Sequence, residues 1–260
     1  MILDQIISDR RKDLSKLKEQ ITPKELMKRI EDSLYRPFSF KEHLGSKEKP
    51  IQIIAEIKRA SPSKGLICKE FDYMKIAKAY ESGGAAAISV LTEPRYFQGD
   101  NSYLSAIKKE VNLPVLRKDF IVDEWQVYEA KAIGADALLL IVAALEDKAL
   151  KYLLELAESL EMDVLVETHH EEEVKRALDV GAQIIGVNNR NLQTFEVSLE
   201  VSSRLRELVP PSHVFVAESG IHTLEDMRLI KKIKADAALI GESVVKSENP
   251  KESLRQLIEA

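Results

Sequence analysis

Ile51-Gln52-Ile53-Ile54-Ala55-Glu56-Ile57-Lys58 is an apolar run that stops at charge. Side chains two apart on a strand share a face, so Glu56 and Lys58 point one way and Ile57 the other. Seven further short runs follow. They end at Leu91-Thr92-Glu93, Arg117-Lys118-Asp119, Leu140-Ile141-Val142, Val166-Glu167-Thr168, Val187-Asn188-Asn189-Arg190, Ala217-Glu218-Ser219-Gly220 and Leu239-Ile240-Gly241-Glu242. Most stop at a charged or amide residue. Buried strands have no reason to finish this way unless their ends converge on something polar.

The eight runs read as strands over Ile51–Ile57, Ala86–Leu91, Pro114–Lys118, Ala137–Ile141, Asp163–Glu167, Gln183–Asn188, His213–Glu218 and Ala237–Ile240. Helical segments lie between them, such as Asp72–Ser82, Glu124–Ile133, Asp147–Ser159, Glu171–Val180, Leu199–Leu208, Thr223–Ile233 and Pro250–Ile258. Strand starts recur every ~27 residues, the spacing of a βα unit. Eight such units predict an α/β fold, a closed (β/α)8 TIM barrel. A doubly wound open sheet is the rival. It usually carries a Gly-rich turn after its first strand, whereas Lys58-Arg59-Ala60-Ser61-Pro62 follows here.

The first residues precede this repeat. Leu3, Ile6, Ile7, Arg10, Leu14 and Leu17 fall near a 3.6-residue period and predict an amphipathic helix. Thr22-Pro23 predicts a second helix start, with Thr as N-cap and Pro in the first turn. That helix is expected to run to about Tyr35, with Pro37 and the polar stretch Gly45 to Pro50 breaking it. One barrel domain over residues 1–260 is expected, residues 1–48 forming a helical extension that covers the barrel floor or flanks its mouth.

Composition excludes several classes. A net charge of -5 with both signs scattered gives no support for nucleic-acid binding. The longest apolar run, Ala137 to Leu145, falls far short of the ~18 residues of a membrane span. One cysteine, Cys68, permits no internal disulfide and fits a reducing cytoplasm. The charged N-terminus lacks the apolar centre of a signal peptide.

In a barrel the catalytic face lies at the C-terminal strand ends. Parity sets Lys118 inward, with Arg117 and Asp119 away, and places Asn188 beside Arg190. The inward charges are then Lys58, Lys118 and Arg190 against Glu56, Glu167 and Glu218. An isolated buried charge is costly, so three against three are expected to pair. Paired lysines and glutamates in a partly buried site are also groups that move protons.

Taken singly, each residue has a plain structural explanation: Glu-x-Lys as a solvated ion pair, Asn188 as a strand end. Their coincidence at one level of one barrel argues for a functional mouth. Ser219-Gly220 after strand seven and Gly241-Glu242-Ser243 after strand eight add a candidate phosphate site. Ser61 sits on a Pro/Ser loop that reads as a lid or as an ordinary turn. Phe97 and Phe120 follow strand ends and read as ring-stacking or as core residues. His169-His170 lacks further spaced ligands, which argues against a metal. Trp125 reads as packing.

These stretches carry a resemblance. AEIKRASPSKG (Ala55 to Gly65) is similar to the first-strand signature of indole-3-glycerol phosphate synthases. The similarity continues in order through SVLTEPRYFQG (Ser89 to Gly99), LRKDFIVD (Leu116 to Asp123), GADALLLI (Gly134 to Ile141), LVETH (Leu165 to His169), IGVNNRNLQTF (Ile185 to Phe195), AESGI (Ala217 to Ile221) and IGES (Ile240 to Ser243). It covers essentially the whole chain. Thr168, where valine is frequent, and Asn191, where aspartate is frequent, depart from the family's commonest pattern.

The resemblance implies a cytoplasmic carboxy-lyase of tryptophan biosynthesis. Its substrate would be a small molecule, 1-(2-carboxyphenylamino)-1-deoxyribulose 5-phosphate, with no cofactor, nucleic acid, membrane or obligatory protein partner. It implies Lys118 as general acid, Lys58 as the carboxylate-binding group and dehydration acid, and Glu56 as its proton-transfer partner. Glu167 would be a second acid/base supported by Asn188. Glu218, Ser61 and Arg190 would position substrate. Ser219, Gly220, Gly241 and Glu242 would take the phosphate, and Phe97, Phe120 and Leu139 would wall the anthranilate ring. Which carboxylate removes the last ring proton stays open. Two rivals are a non-catalytic phosphometabolite-binding barrel and another sugar-phosphate barrel enzyme such as phosphoribosylanthranilate isomerase. The first need not keep proton-transfer groups, and the second lacks AEIKRASPSKG.

Overall fold

The structure, a computed structural model, describes residues 2–33, 35, 37–45, 51–68 and 70–260. Eight parallel strands close on themselves: β1 (Gln52–Ile57), β2 (Ala87–Leu91), β3 (Val115–Lys118), β4 (Ala137–Ile141), β5 (Asp163–Thr168), β6 (Ile184–Asn188), β7 (Val214–Glu218) and β8 (Ala237–Ile240). Each pairs with its sequence neighbours, and β1 pairs with β8 through Gln52↔Ala237 to Ala55↔Ile240. The fold is the predicted TIM barrel, and no predicted strand bound is off by more than one residue.

Period-two alternation divides the strands between two cores. Inward Ile54, Leu116, Leu139, Leu165, Ile184 and Val216 fill the lumen. Outward Ile53, Ile57, Val90, Leu140, Val166 and Val187 meet the helix ring. That ring contains α4 (Tyr73–Gly83), α5 (Asn101–Glu110), α6 (Glu124–Ala132), α7 (Asp147–Ser159), α8 (Glu171–Asp179), α9 (Glu200–Leu205), α10 (Leu224–Lys232), the short α11 (Glu242–Val245) and α12 (Pro250–Glu259). Neither α5 nor α11 is among the helices named from the sequence. The predicted helix to Leu208 ends as a 3-10 turn over Arg206–Leu208.

Three helices precede the barrel: α1 (Ile2–Gln20), α2 (Pro23–Glu31) and α3 (Phe40–Gly45). Thr22 caps α2 through a reciprocal capping box with Glu25, its side chain accepting from Glu25 N at 3.3 Å while Glu25 Oε2 accepts from Thr22 N at 2.7 Å. The helix stops at Glu31, short of the expected Tyr35, because Asp32 closes it with its N–H on the Ile30 and Lys28 carbonyls. Leu34 and Arg36 lie outside the described residues.

The polar stretch Gly45 to Pro50 is read from sequence as a break. Gly45 ends α3, and residues 46–50 lie outside the described residues. The extension does both things expected of it. α3 plugs the floor with Phe40 and Leu44, buried against the lumen cluster. Asp163 Oδ2 accepts from Lys41 N at 2.9 Å and Asp136 Oδ1 from Phe38 N at 2.8 Å, anchoring this segment to the strand starts. α1 flanks the mouth.

Phe40→Ala should cost about 3–5 kcal/mol in urea unfolding, the range for deleting a buried ring. A loss under ~1 kcal/mol would show that the floor plug is dispensable.

Candidate active site

The inward polar tips come together. Glu56, Lys58, Lys118, Glu167, Asn188, Arg190 and Glu218 line one cavity of about 190 Å³ at the C-terminal mouth. Ser61, Phe97, Phe120, Leu139, Ser219, Gly220, Gly241 and Glu242 line the same cavity, whereas Ser243, named beside them in the candidate phosphate site, does not. The cavity wall also contains Ile2, Leu3 and Ile6 of α1, together with Leu192 and Phe195. Sequence reasoning missed these as site residues. Leu3 and Ile6 belong to the apolar stripe of α1, which periodicity assigns to packing without saying against what.

The expected three-to-three charge pairing is uneven. Lys118 Nζ takes two carboxylates, Glu218 Oε2 at 2.7 Å and Glu167 Oε2 at 3.2 Å. Lys58 pairs with Glu56 on its own strand. Arg190 pairs with none of the three glutamates; its guanidinium donates to the Phe195 carbonyl at 3.3 Å. The loop after β6 thus holds Arg190 by its own backbone, which leaves Lys118 to neutralise two acids.

The two acids on Lys118 differ in support. Glu167 Oε1 also accepts from Asn188 Nδ2 at 3.1 Å, and His169 Nε2 lies 3.3 Å from it. Burial opposes ionisation of Glu167, but Lys118 and His169 outweigh it and hold the carboxyl well below its usual range. Among the described residues Glu218 Oε1 is buried with no hydrogen-bond partner, and burial pushes that carboxyl up. Burial also works against the Lys118 ammonium, yet Glu218, Glu167 and Glu56 keep it above the ordinary lysine range. The result is one firmly charged lysine, one firmly ionised carboxylate and one carboxyl ready to hold a proton. Environments that pull paired acids apart assign acid and base roles.

Two glycines leave room for these acids. A Cβ on Gly186 would lie 2.2 Å from Glu218 Oε1, and one on Gly241 would lie 2.7 Å from Glu56 Oε1. From the sequence Gly186 is only one residue of a strand.

Around the charges, the mouth divides into an apolar and a polar side. The Phe97 and Phe120 rings stand 5.9 Å apart at 40°. Glu93 fixes the loop that carries Phe97, its carboxylate accepting from Arg95, Tyr96 and Phe97 N–H groups. This polar strand end serves the backbone and not the cavity. Opposite, Ser219 takes a left-handed φ of 66° and turns the chain sharply after β7. Glu242 reaches Lys246 Nζ at 2.7 Å and lies 3.9 Å from Lys64 Nζ, so its acid is screened. Ser61 pairs with Gly65 in a short antiparallel hairpin after β1. Trp125 is buried packing, its Nε1 donating to the Ile21 carbonyl at 2.8 Å.

The Arg117 and Asp119 side chains bond away from the lumen, though not into water, and Asp119 also forms part of the cavity wall. The guanidinium is fully buried and bonds Glu129 Oε2 at 2.5 Å, Asp119 Oδ2 at 3.2 Å and the Gln126 carbonyl at 3.0 Å. Arg10 of α1 meets the same Asp119 oxygen at 2.7 Å. Among the described residues no cluster of three His, Cys, Asp or Glu is placed to hold a metal ion. No helix of the described residues is long and apolar enough to cross a membrane.

The model of the family described as indole-3-glycerol phosphate synthase matches residues 3–257. The chain belongs to the indole-3-glycerol phosphate synthase family. A family protein of Endomicrobium trichonymphae is 50% identical over 258 residues, covering 99% of each chain. Another, of Lachnoclostridium phytofermentans, is 47% identical over 269 residues, covering 99% of this chain and 98% of its own. Both carry the family's name. Among solved structures, 3-hexulose-6-phosphate synthase of Salmonella typhimurium shares the fold with a TM-score of 0.67 at 13% identity, over 80% of this chain and 97% of that one.

Gly186→Ala should force Glu218 away from Lys118. A shift of about 1 Å at a reacting group costs on the order of 100-fold in rate, and turnover of the family's reaction should fall accordingly. Wild-type rates, with Glu218 unmoved in a crystal structure of the variant, would contradict this.

Proposed function

We propose that this chain closes the pyrrole ring of indole as a carboxy-lyase. It would convert 1-(2-carboxyphenylamino)-1-deoxyribulose 5-phosphate to indole-3-glycerol phosphate, carbon dioxide and water. The observation that carries the reading is Lys118, a half-buried ammonium aimed into the mouth between two carboxylates of opposite proton affinity. Membership of the family supplies the substrate.

The reaction needs an acid first. Lys118 donates its proton to the sugar carbonyl oxygen as the ring carbon bearing the carboxylate attacks the carbonyl carbon. That ring carbon becomes tetrahedral and the arene cationic. The bond to the carboxylate then breaks, carbon dioxide leaves, and the bonding pair restores the aromatic ring. Lys58, paired with Glu56 on the cavity wall, holds the carboxylate and then protonates the new hydroxyl so that it departs as water. Glu167 takes the proton from the neighbouring carbon, which completes the indole. Its ionised state and its Asn188 hydrogen bond suit it to be the base. Two protons are given and one is taken, so one is drawn from solvent per turnover. Glu167 can return its proton to Lys118 directly at 3.2 Å.

The remaining groups position the substrate. Phe97, Phe120 and Leu139 offer the apolar slot for the anthranilate ring. The turns at Ser219-Gly220 and Gly241-Glu242 offer backbone N–H groups to the phosphate, and Arg190 and Ser61 lie at the same rim. With Glu242 occupied by Lys246, its backbone and not its acid faces the anion.

Purified protein mixed with the carboxyphenylamino-deoxyribulose phosphate should develop indole absorbance and fluorescence. No signal at any pH would overturn the reading. Lys118→Met should abolish turnover while substrate affinity stays within about tenfold, because the lysine acts on the transition state more than on the ground state. Unchanged turnover would remove Lys118 from the acid role.

A further inference from the structure

His169 lies just past β5, outside the lining of the cavity, and contacts the Glu167 carboxylate from behind. Its two ring nitrogens face two different acids. Nδ1 is 3.0 Å from Glu173 Oε2, and Nε2 is 3.3 Å from Glu167 Oε1. The second contact falls short of a full hydrogen bond, and among the described residues Nε2 is buried without another partner. Glu173, on α8, is itself buried. Its carboxylate also accepts from the His169 backbone N–H at 2.7 Å and meets His170 Nε2 at 3.1 Å. A neutral imidazole would turn a lone pair toward one of the two carboxylates. Only the doubly protonated ring offers each of them a proton.

We infer that His169 is a positioning residue for the reaction proposed above: a permanent imidazolium, locked by Glu173, that holds Glu167 in place and ionised as the base. This rests on Glu167 serving as the base. The groups around Glu167 set the balance. Lys118 from β3 and His169 favour its charge, Asn188 from β6 donates to it, and Glu218 from β7 and Glu56 from β1 oppose it. Without His169, Lys118 alone would serve both Glu167 and Glu218. On the α8 side, Glu173 faces the ring and is itself met by His170, while Arg176 turns away to Asp147. Burial works against a charged imidazole, but Glu167 and Glu173 outweigh it and hold the group at about 10. The sign follows. A raised histidine contributes its ion pairs fully below the ordinary value of ~6.5 and loses them as pH rises through the folded-state value.

The experiment is the pH profile of kcat in wild type, His169→Gln and Glu173→Gln. His169→Gln should move the acid limb up by about one unit or more, and the loosened Glu167 carboxylate should lower kcat about tenfold at neutral pH, with KM little changed. Glu173→Gln should release the imidazolium and add a descending limb between about pH 7 and 9 that the wild type lacks. Folded variants with wild-type profiles overturn the inference, as does a kcat loss with no shift of either limb. Should the variants not fold, 15N-imidazole NMR of the wild type decides: an imidazolium signal for His169 at pH 8.5 supports it, and a neutral ring ends it. Failure of the wild type to turn over the substrate is a separate result and counts against the proposed reaction alone.

Discussion

Lys118 Nζ, caught between Glu218 and Glu167, is the interaction on which the mouth depends. Three strands must deliver these groups to one level, Lys118 and Glu167 being 49 positions apart and Lys118 and Glu218 100. Removing Lys118 leaves the two carboxylates without the ammonium they share, and an unpartnered buried charge costs several kcal/mol. The barrel meets this demand because parallel strands in register put every second residue into the lumen. Lower in the lumen those positions are Leu116, Leu165 and Val216. One step higher on the same strands they are Lys118, Glu167 and Glu218. The apolar layer below denies water to the polar layer above, and that is what gives the charges their strength.

The surroundings divide the labour. Glu167 gains Asn188 and His169 and stays ionised; Glu218 keeps one bare oxygen and tends to the protonated form. Gly186 belongs to the same design, since any side chain there would displace Glu218. Behind the site a second ionic layer lies outside the barrel, where Arg117, Asp119, Glu129 and Arg10 satisfy one another. Arg117 and Asp119 are the chain neighbours of Lys118, so this layer fixes the backbone on either side of the proposed acid.

The N-terminal helices meet the two ends of the lumen by different means. α3 seals the floor by burying Phe40 and Leu44. α1 reaches the mouth with Ile2, Leu3 and Ile6 and is tied down by polar contacts, Arg10 to Asp119 and Tyr96 Oη to Asp9 at 2.8 Å. Both loops that carry the aromatic walls therefore touch α1.

Local pattern determined a great deal. The alternation Glu56-Ile57-Lys58 and the break after Leu116-Arg117-Lys118 were enough to separate lumen from helix-facing residues, because strand parity is a property of the backbone and needs no partner. Repetition of the βα unit determined the barrel for the same reason. What only the tertiary structure decided is who meets whom across strands: that Lys118 takes two acids and Arg190 none, that α3 fills the floor, and that His169 stands between Glu167 and Glu173. Sequence order carries no distance between residues a hundred positions apart. Packing sets that distance, and the energy of a buried charge depends on it steeply.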